Sequence, residues 1–131
     1  MKMKSRGITL IELMVVLVVL AILVSIAYPS YVDQMRRTRR ADAMTGLTEM
    51  ANLQERFYTQ NFRYAPNKTS LGHNGLSPDD YYNLSITNSV PTSYTLTATA
   101  DALGPQTKDT GCTTITLSSN GMKSPPSCWK R

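Results

Sequence analysis

One carboxylate stands where a carboxylate is most costly. Glu12 interrupts a run from Ile8 to Tyr28 in which 18 of 21 side chains are apolar and only Thr9, Glu12 and Ser25 are not. An ionisable group in such a setting costs about 2.5 to 3.5 kcal/mol on membrane-insertion scales, so it marks a function and calls for a partner. A cut after Gly7 would free the α-amino group of Ile8, the nearest available cation, in the same chain or in a neighbour stacked with a stagger. Two opposite charges that meet only on assembly set a register, because either one alone in apolar surroundings is strongly penalised. The simpler alternative is a Glu near the interface of a tilted anchor.

The other reactive residue types carry less. Cys112 and Cys128 are the only cysteines, and an even pair flanking a short loop reads as one disulfide formed in an oxidising compartment. Closing that loop contributes about 3 kcal/mol by chain entropy. His73 is the only histidine and sits among Gly and Asn, and Asp79-Asp80 reads as a turn cap rather than an acid/base pair. There is no Gly-rich phosphate cradle, and two cysteines without nearby histidines make a poor metal site. The expectation is a protein that is not an enzyme, with no cofactor and no metal.

The elements that position these residues follow from hydropathy. As a helix, Ile8 to Tyr28 would span about 31 Å, the thickness of a bilayer's hydrocarbon core. A secretory signal peptide is the competing reading, with Ser25-Ile26-Ala27 as its cleavage site, although its apolar stretch would run to only about 7 to 15 residues. Pro29 lies within what otherwise reads as one long helix, where its missing N–H predicts a bend. Beyond it, Met35, Ala43, Met44, Leu47, Met50, Ala51, Phe57 and Tyr58 recur at three- and four-residue spacings, the stripe of an amphipathic helix to about residue 60. Gly46 in that stripe hints at close approach.

Residues 61–92 hold Pro66, Gly72, Gly75, Pro78 and Pro91 and read as a connecting region, pinned to the stem by Phe62, Tyr64, Tyr81 and Tyr82. Period-two strand signals then appear at Tyr82–Thr87, Ser93–Ala100 and Cys112–Ser118. Asn120-Gly121 is favoured in type I′ hairpin turns, which predicts a short fourth strand at Met122-Lys123. The fold class is therefore α+β: a long amino-terminal helix, apolar in its first half and amphipathic in its second, packed on a small antiparallel sheet of three to four strands with a disulfide-tied carboxyl terminus. The divisions are 1–7, 8–28, 29–60 and a head at 61–131, with sheet and disulfide loop from 82.

Charge needs the same partition. The net charge is +5, but without Lys2, Lys4 and Arg6 eleven basic side chains face nine acidic ones, only +2, so net charge alone is weak support for a nucleic-acid partner. Arg36, Arg37, Arg39 and Arg40 form the one dense basic run; at about 100° per residue they cannot share a face, which predicts a solvated collar able to meet lipid head groups or neighbouring subunits. Three basic residues precede the apolar run and four follow it, so charge counting does not orient it. The abutting leader charges and the cysteine pair place the carboxyl-terminal side outside the cytoplasm.

Lys4-Ser-Arg-Gly7, then Ile8-Thr-Leu-Ile-Glu12-Leu-Met, an unbroken Val/Leu/Ile run and Pro29 together resemble the class III signal of type IV pilins and pseudopilins. Ile8 stands where that family most often has Phe. The ending Gly121-Met-Lys-Ser-Pro-Pro-Ser-Cys-Trp129 resembles the minor-pilin branch that also includes DNA-uptake receptor pilins. The resemblance implies a 1–7 leader cut after Gly7 by a prepilin peptidase, methylation at Ile8, and assembly that depends on Glu12 and on the stem around Pro29. It implies a single-pass inner-membrane precursor with a periplasmic head, held in lipid until the assembly machinery passes it to other pilin subunits in an extracellular pilus. Twitching, adhesion, pilus biogenesis or DNA uptake are the functions it implies. One alternative is a DNA-receptor pilin that binds duplex DNA through Lys108, Lys123, Lys130 and Arg131; another is a type II secretion pseudopilin.

Overall fold

The computed structural model describes residues 7–130. Lys2, Lys4 and Arg6 of the leader, and Arg131, lie outside the described residues. The chain divides into two compact units, residues 1–35 and 36–131, and the first helix, α1 (Leu10–Asn61), contributes to both.

In the first unit the helix has no buried face. Every side chain from Ile8 to Tyr31 is exposed, and among the described residues α1 is the helix long and apolar enough to cross a membrane. Such all-round hydrophobicity belongs to a helix whose partner lies outside its own chain. Pro29 sits inside the helix without ending it.

In the second unit the same helix becomes one-sided. Ala43, Leu47 and Met50 are fully buried, and they pack with Tyr82, Leu84, Tyr94, Leu96, Ala98, Ile115 and both cysteines. Gly46 lies on this stripe at a close approach: a Cβ there would come within 2.7 Å of Leu84 Cδ1, and the Leu84 side chain would have to shift.

The sheet is a four-stranded antiparallel meander in the order β1 (Tyr82–Val90), β2 (Ser93–Ala100), β3 (Thr114–Ser118), β4 (Lys123–Ser124). Alternation sends Tyr94, Leu96, Ala98 and Ala100 into the core. β1 runs on to Val90, through a segment whose Asn and Ser content reads as loop, by accommodating an extra residue, Thr87, between Ile86 and Asn88. Cys112 and Cys128 form the disulfide, their Cα atoms 5.6 Å apart.

Three expectations need correcting. The β3–β4 turn is not type I′, because Gly121 (φ 80°) has positive φ and Asn120 does not. Gly121 N–H instead donates to the Ser118 carbonyl (2.9 Å) and Ser118 N–H to the Met122 carbonyl (3.0 Å), a three-residue loop with glycine in the left-handed position. Phe62 does not pin the connecting loop: it follows the last helical residue, takes φ 54°, and is 84% exposed. The arginine run is not a solvated collar, for reasons that lie in the head.

Candidate functional site

The amino-terminal end of α1 is built from two side chains. Thr9 and Glu12 stand at the T-x-x-E spacing of a capping box, and the reciprocal bonds are present. Thr9 N–H donates to Glu12 Oε2 (3.4 Å), and Glu12 N–H donates to Thr9 Oγ1 (3.3 Å). Leu13 N–H then reaches the Thr9 carbonyl at 3.2 Å and starts the helical ladder. A carboxylate in the first turn also sits at the positive end of the helix dipole. The signal that names Thr9 as the partner of Glu12 is the T-x-x-E spacing, not the apolar pattern around it.

The second cluster ties the stem to the disulfide loop. Arg40 grips Asp109 with two bonds, Nε to Oδ2 and NH2 to Oδ1, both 2.6 Å. The Asp109 side chain is only 3% exposed and that of Arg40 18%. Gln106, fully buried, donates through Nε2 to the Tyr82 hydroxyl (2.9 Å) and to Asp109 Oδ2 (3.2 Å). The Tyr82 hydroxyl donates to the Cys112 carbonyl (3.3 Å), and Cys112 N–H to the Asp109 carbonyl (2.9 Å). Burial pushes the Tyr82 phenol above its ordinary pKa, and the Asp109 charge pushes the same way, against the lowering effect of the Gln106 bond. Arg39 lies over the Tyr81 ring at 5.2 Å. Arg39 and Arg40 are thus consumed by the head, each lying about 50° from the centre of the buried stripe.

At the far end of the stem, Gln54 is buried and exchanges two hydrogen bonds with the Ala65 backbone (2.8 and 3.1 Å). Glu55 accepts from the Tyr64 hydroxyl (3.1 Å) and the Tyr94 hydroxyl (3.4 Å). Burial, followed by the Glu55 charge, raises the Tyr94 phenol to about 12. Asp42 is also nine-tenths buried and accepts the Asp79 N–H at 2.9 Å. These polar residues inside the packed stripe carry no periodic signal.

The basic candidates fall on the arms of the disulfide. Lys108 ends a short 3₁₀ turn (Pro105–Lys108), four residues before Cys112, and Lys130 follows Cys128 by two residues. Lys123 on β4 places its ammonium 5.0 Å from the centre of the Trp129 ring. Lys108, Lys123 and Lys130 are exposed, so none is committed to the core. Arg131 lies outside the described residues.

Residues 29–116 match the family described as type IV minor pilin ComP, DNA uptake sequence receptor. The chain belongs to that family. Residues 2–28 match the prokaryotic N-terminal methylation motif. A type IV pilin from Shewanella oneidensis is similar over 73% of this chain and 99% of its own length, at 26% identity and a TM-score of 0.53. The non-core minor pilin PilV from Neisseria meningitidis is similar over 70% of this chain and 86% of its own, with the same identity and TM-score. No curated protein sequence matches. The family is one of structural pilus subunits, not a class of enzymes, and membership carries association with other pilin subunits and prepilin processing. The minor-pilin match ends at Thr116, so β4, Cys128 and the lysines around Trp129 lie beyond it.

Proposed function

We propose that this chain is a minor pilin that joins a type IV pilus through the apolar half of α1 and binds duplex DNA through its head. The carrying observation is the match of residues 29–116 to a family whose description is a DNA uptake sequence receptor. Charge supports it: residues 36–131 hold eleven basic and seven acidic side chains, a net +4 that the whole-chain partition hides. Lys108 and Lys130, exposed on the two arms of the disulfide, with Lys123 beside Trp129, supply the phosphate contacts.

In this reading the precursor sits in the inner membrane, its head in the periplasm. A prepilin peptidase cuts after Gly7, Ile8 is methylated, and the assembly machinery moves the subunit from lipid into the filament. Glu12 is held by Thr9 until a neighbour's amino terminus replaces that partner, and the stem around Pro29 packs among other stems. Mass spectrometry of the fibre fraction checks the processing: a terminus at methylated Ile8 is expected, and an intact Met1 or a cut after Ala27 would sink it. For DNA, the detergent-solubilised full chain is titrated with duplex between 50 and 200 mM salt. Affinity should fall steeply, with a log–log slope near −0.9 for each phosphate neutralised, and a Lys108→Ala/Lys130→Ala variant should flatten that slope by roughly 2. Binding that ignores salt, or no binding, removes the receptor role.

A further inference from the structure

Arg39 and Arg40 turn into the head, but Arg37 is exposed. Twelve residues on, Glu49 is exposed as well and forms, with Leu53, the helical wall of a cleft of about 500 Å³. The opposite wall comes from residues 71–80 and includes Asp80. The carboxylates in the lining are Glu49 and Asp80, and neither Lys nor Arg is among the lining residues. His73 also lines the cleft, its Nδ1 accepting the Gly75 N–H at 2.9 Å. Asp80 is presented on a fixed turn: its N–H donates to the Ser77 carbonyl (3.0 Å), and the neighbouring Asp79 N–H is held by Asp42 (2.9 Å).

We propose that this acidic cleft receives Arg37 of a second copy of the chain and forms a lateral contact between neighbouring subunits. The proposal rests on the reading of the chain as a filament subunit and names where two such subunits touch. Charge complementarity argues for that occupant, and helix geometry agrees. At about 100° per residue, Arg37, Glu49 and the buried stripe of Ala43, Leu47, Met50 and Gln54 point in three directions roughly 120° apart. Arg37 and Glu49 therefore flank the head on opposite sides, and one cannot satisfy the other within a chain. Along the axis they are about 18 Å apart, so a neighbour shifted by that amount on a parallel stem brings its Arg37 level with Glu49. A contact between two different patches of the same chain is heterologous, the kind that propagates into an open helical filament rather than closing a dimer.

The test uses the full chain in cells that assemble fibres, comparing the sheared fibre fraction with the membrane pool. Arg37→Glu and Glu49→Arg should each lower fibre incorporation about fivefold at unchanged membrane abundance, and the double reversal should restore it to within about twofold. A second measurement covers reversals that fail to fold. Cys112 and Cys128 are bonded to each other, so introduced thiols are the reactive ones. Co-expressed Arg37→Cys and Glu49→Cys chains should give a disulfide-linked dimer in fibres that neither gives alone. Wild-type incorporation of both reversals, or no mixed dimer, overturns the contact. If the unaltered chain never enters fibres, the filament reading falls, and this contact falls with it.

Discussion

The two halves of α1 solve the same problem in opposite ways. Up to Tyr31 the helix is apolar on all sides and buries nothing; from Asp42 it buries one stripe and leaves the rest to solvent. The first half needs a partner that its own chain does not supply, lipid or other stems, and the second has found its partner in the sheet. Polar groups follow the same division. Glu12, in the first half, is bonded among the described residues to Thr9 three residues away, whereas Arg40, in the second, reaches Asp109 across 69 positions. Local bonds leave a group able to change partners, and long-range bonds fix a tertiary structure.

The sharpest attempt to break this contrast is Glu12→Ala. Removing the carboxylate should ease membrane insertion by about 2.5 to 3.5 kcal/mol, yet incorporation into fibres should fall on the order of a hundredfold, as loss of one member of a buried pair predicts. The thermal unfolding of the head should not move; wild-type fibre abundance would show that the two halves do not differ as described. Asp109→Ala makes the mirror-image case. It leaves Arg40 without its carboxylate partner and should destabilise the head by about 3 kcal/mol in urea unfolding, leaving membrane insertion unchanged. Replacing both cysteines with serine should remove about 3 kcal/mol or slightly less, because the loop closed by the bridge is short.

Gly46→Ala should cost about 1 kcal/mol, since the added methyl lies 2.7 Å from Leu84 Cδ1 and the buried Leu84 side chain must shift, against about 1 kcal/mol gained in helix propensity. A clear gain in stability would mean that the second half does not pack as closely on the sheet at Gly46 as described. The smallest effect is in pH. A phenol whose folded pKa is raised binds its proton more tightly in the folded state, so its contribution is complete below about pH 10 and is lost as pH rises toward about 12. The head should therefore lose stability across that window, and Tyr94→Phe should reduce the slope, with Tyr82, raised by the same burial, supplying part of the rest; an unaltered slope would place the titrating group elsewhere.

Much of this was legible before any coordinates. The apolar run, the strand alternation of Ser93–Ala100 and the cysteine pair all appear where hydropathy and spacing put them. Even the Thr9–Glu12 box was present as a spacing. Illegible were Gln54 with Ala65, Asp42 with Asp79, and Arg40 with Gln106 and Asp109. A polar residue inside an apolar stripe reads as a flaw in the pattern until its distant partner is known. Phe62 shows the reverse: an aromatic residue at the end of a helix reads as core, and a backbone in the left-handed region turns it out to solvent.

The chain's own letters determine that one end must be buried by something other than this chain, that a helix leads into a small sheet, and that a disulfide closes its last loop. These follow from local periodicity and composition, which act on neighbours in sequence. Only the tertiary structure decides which arginines are spent on the head and which face outward, which side of the stem carries an acidic cleft, and that the net charge of the head is divided between a grip on Asp109 and exposed lysines. The reason is physical: a charge's role depends on what lies within a few ångströms of it, and the fold, by returning residues 71–80 and 105–109 to the stem, sets those distances.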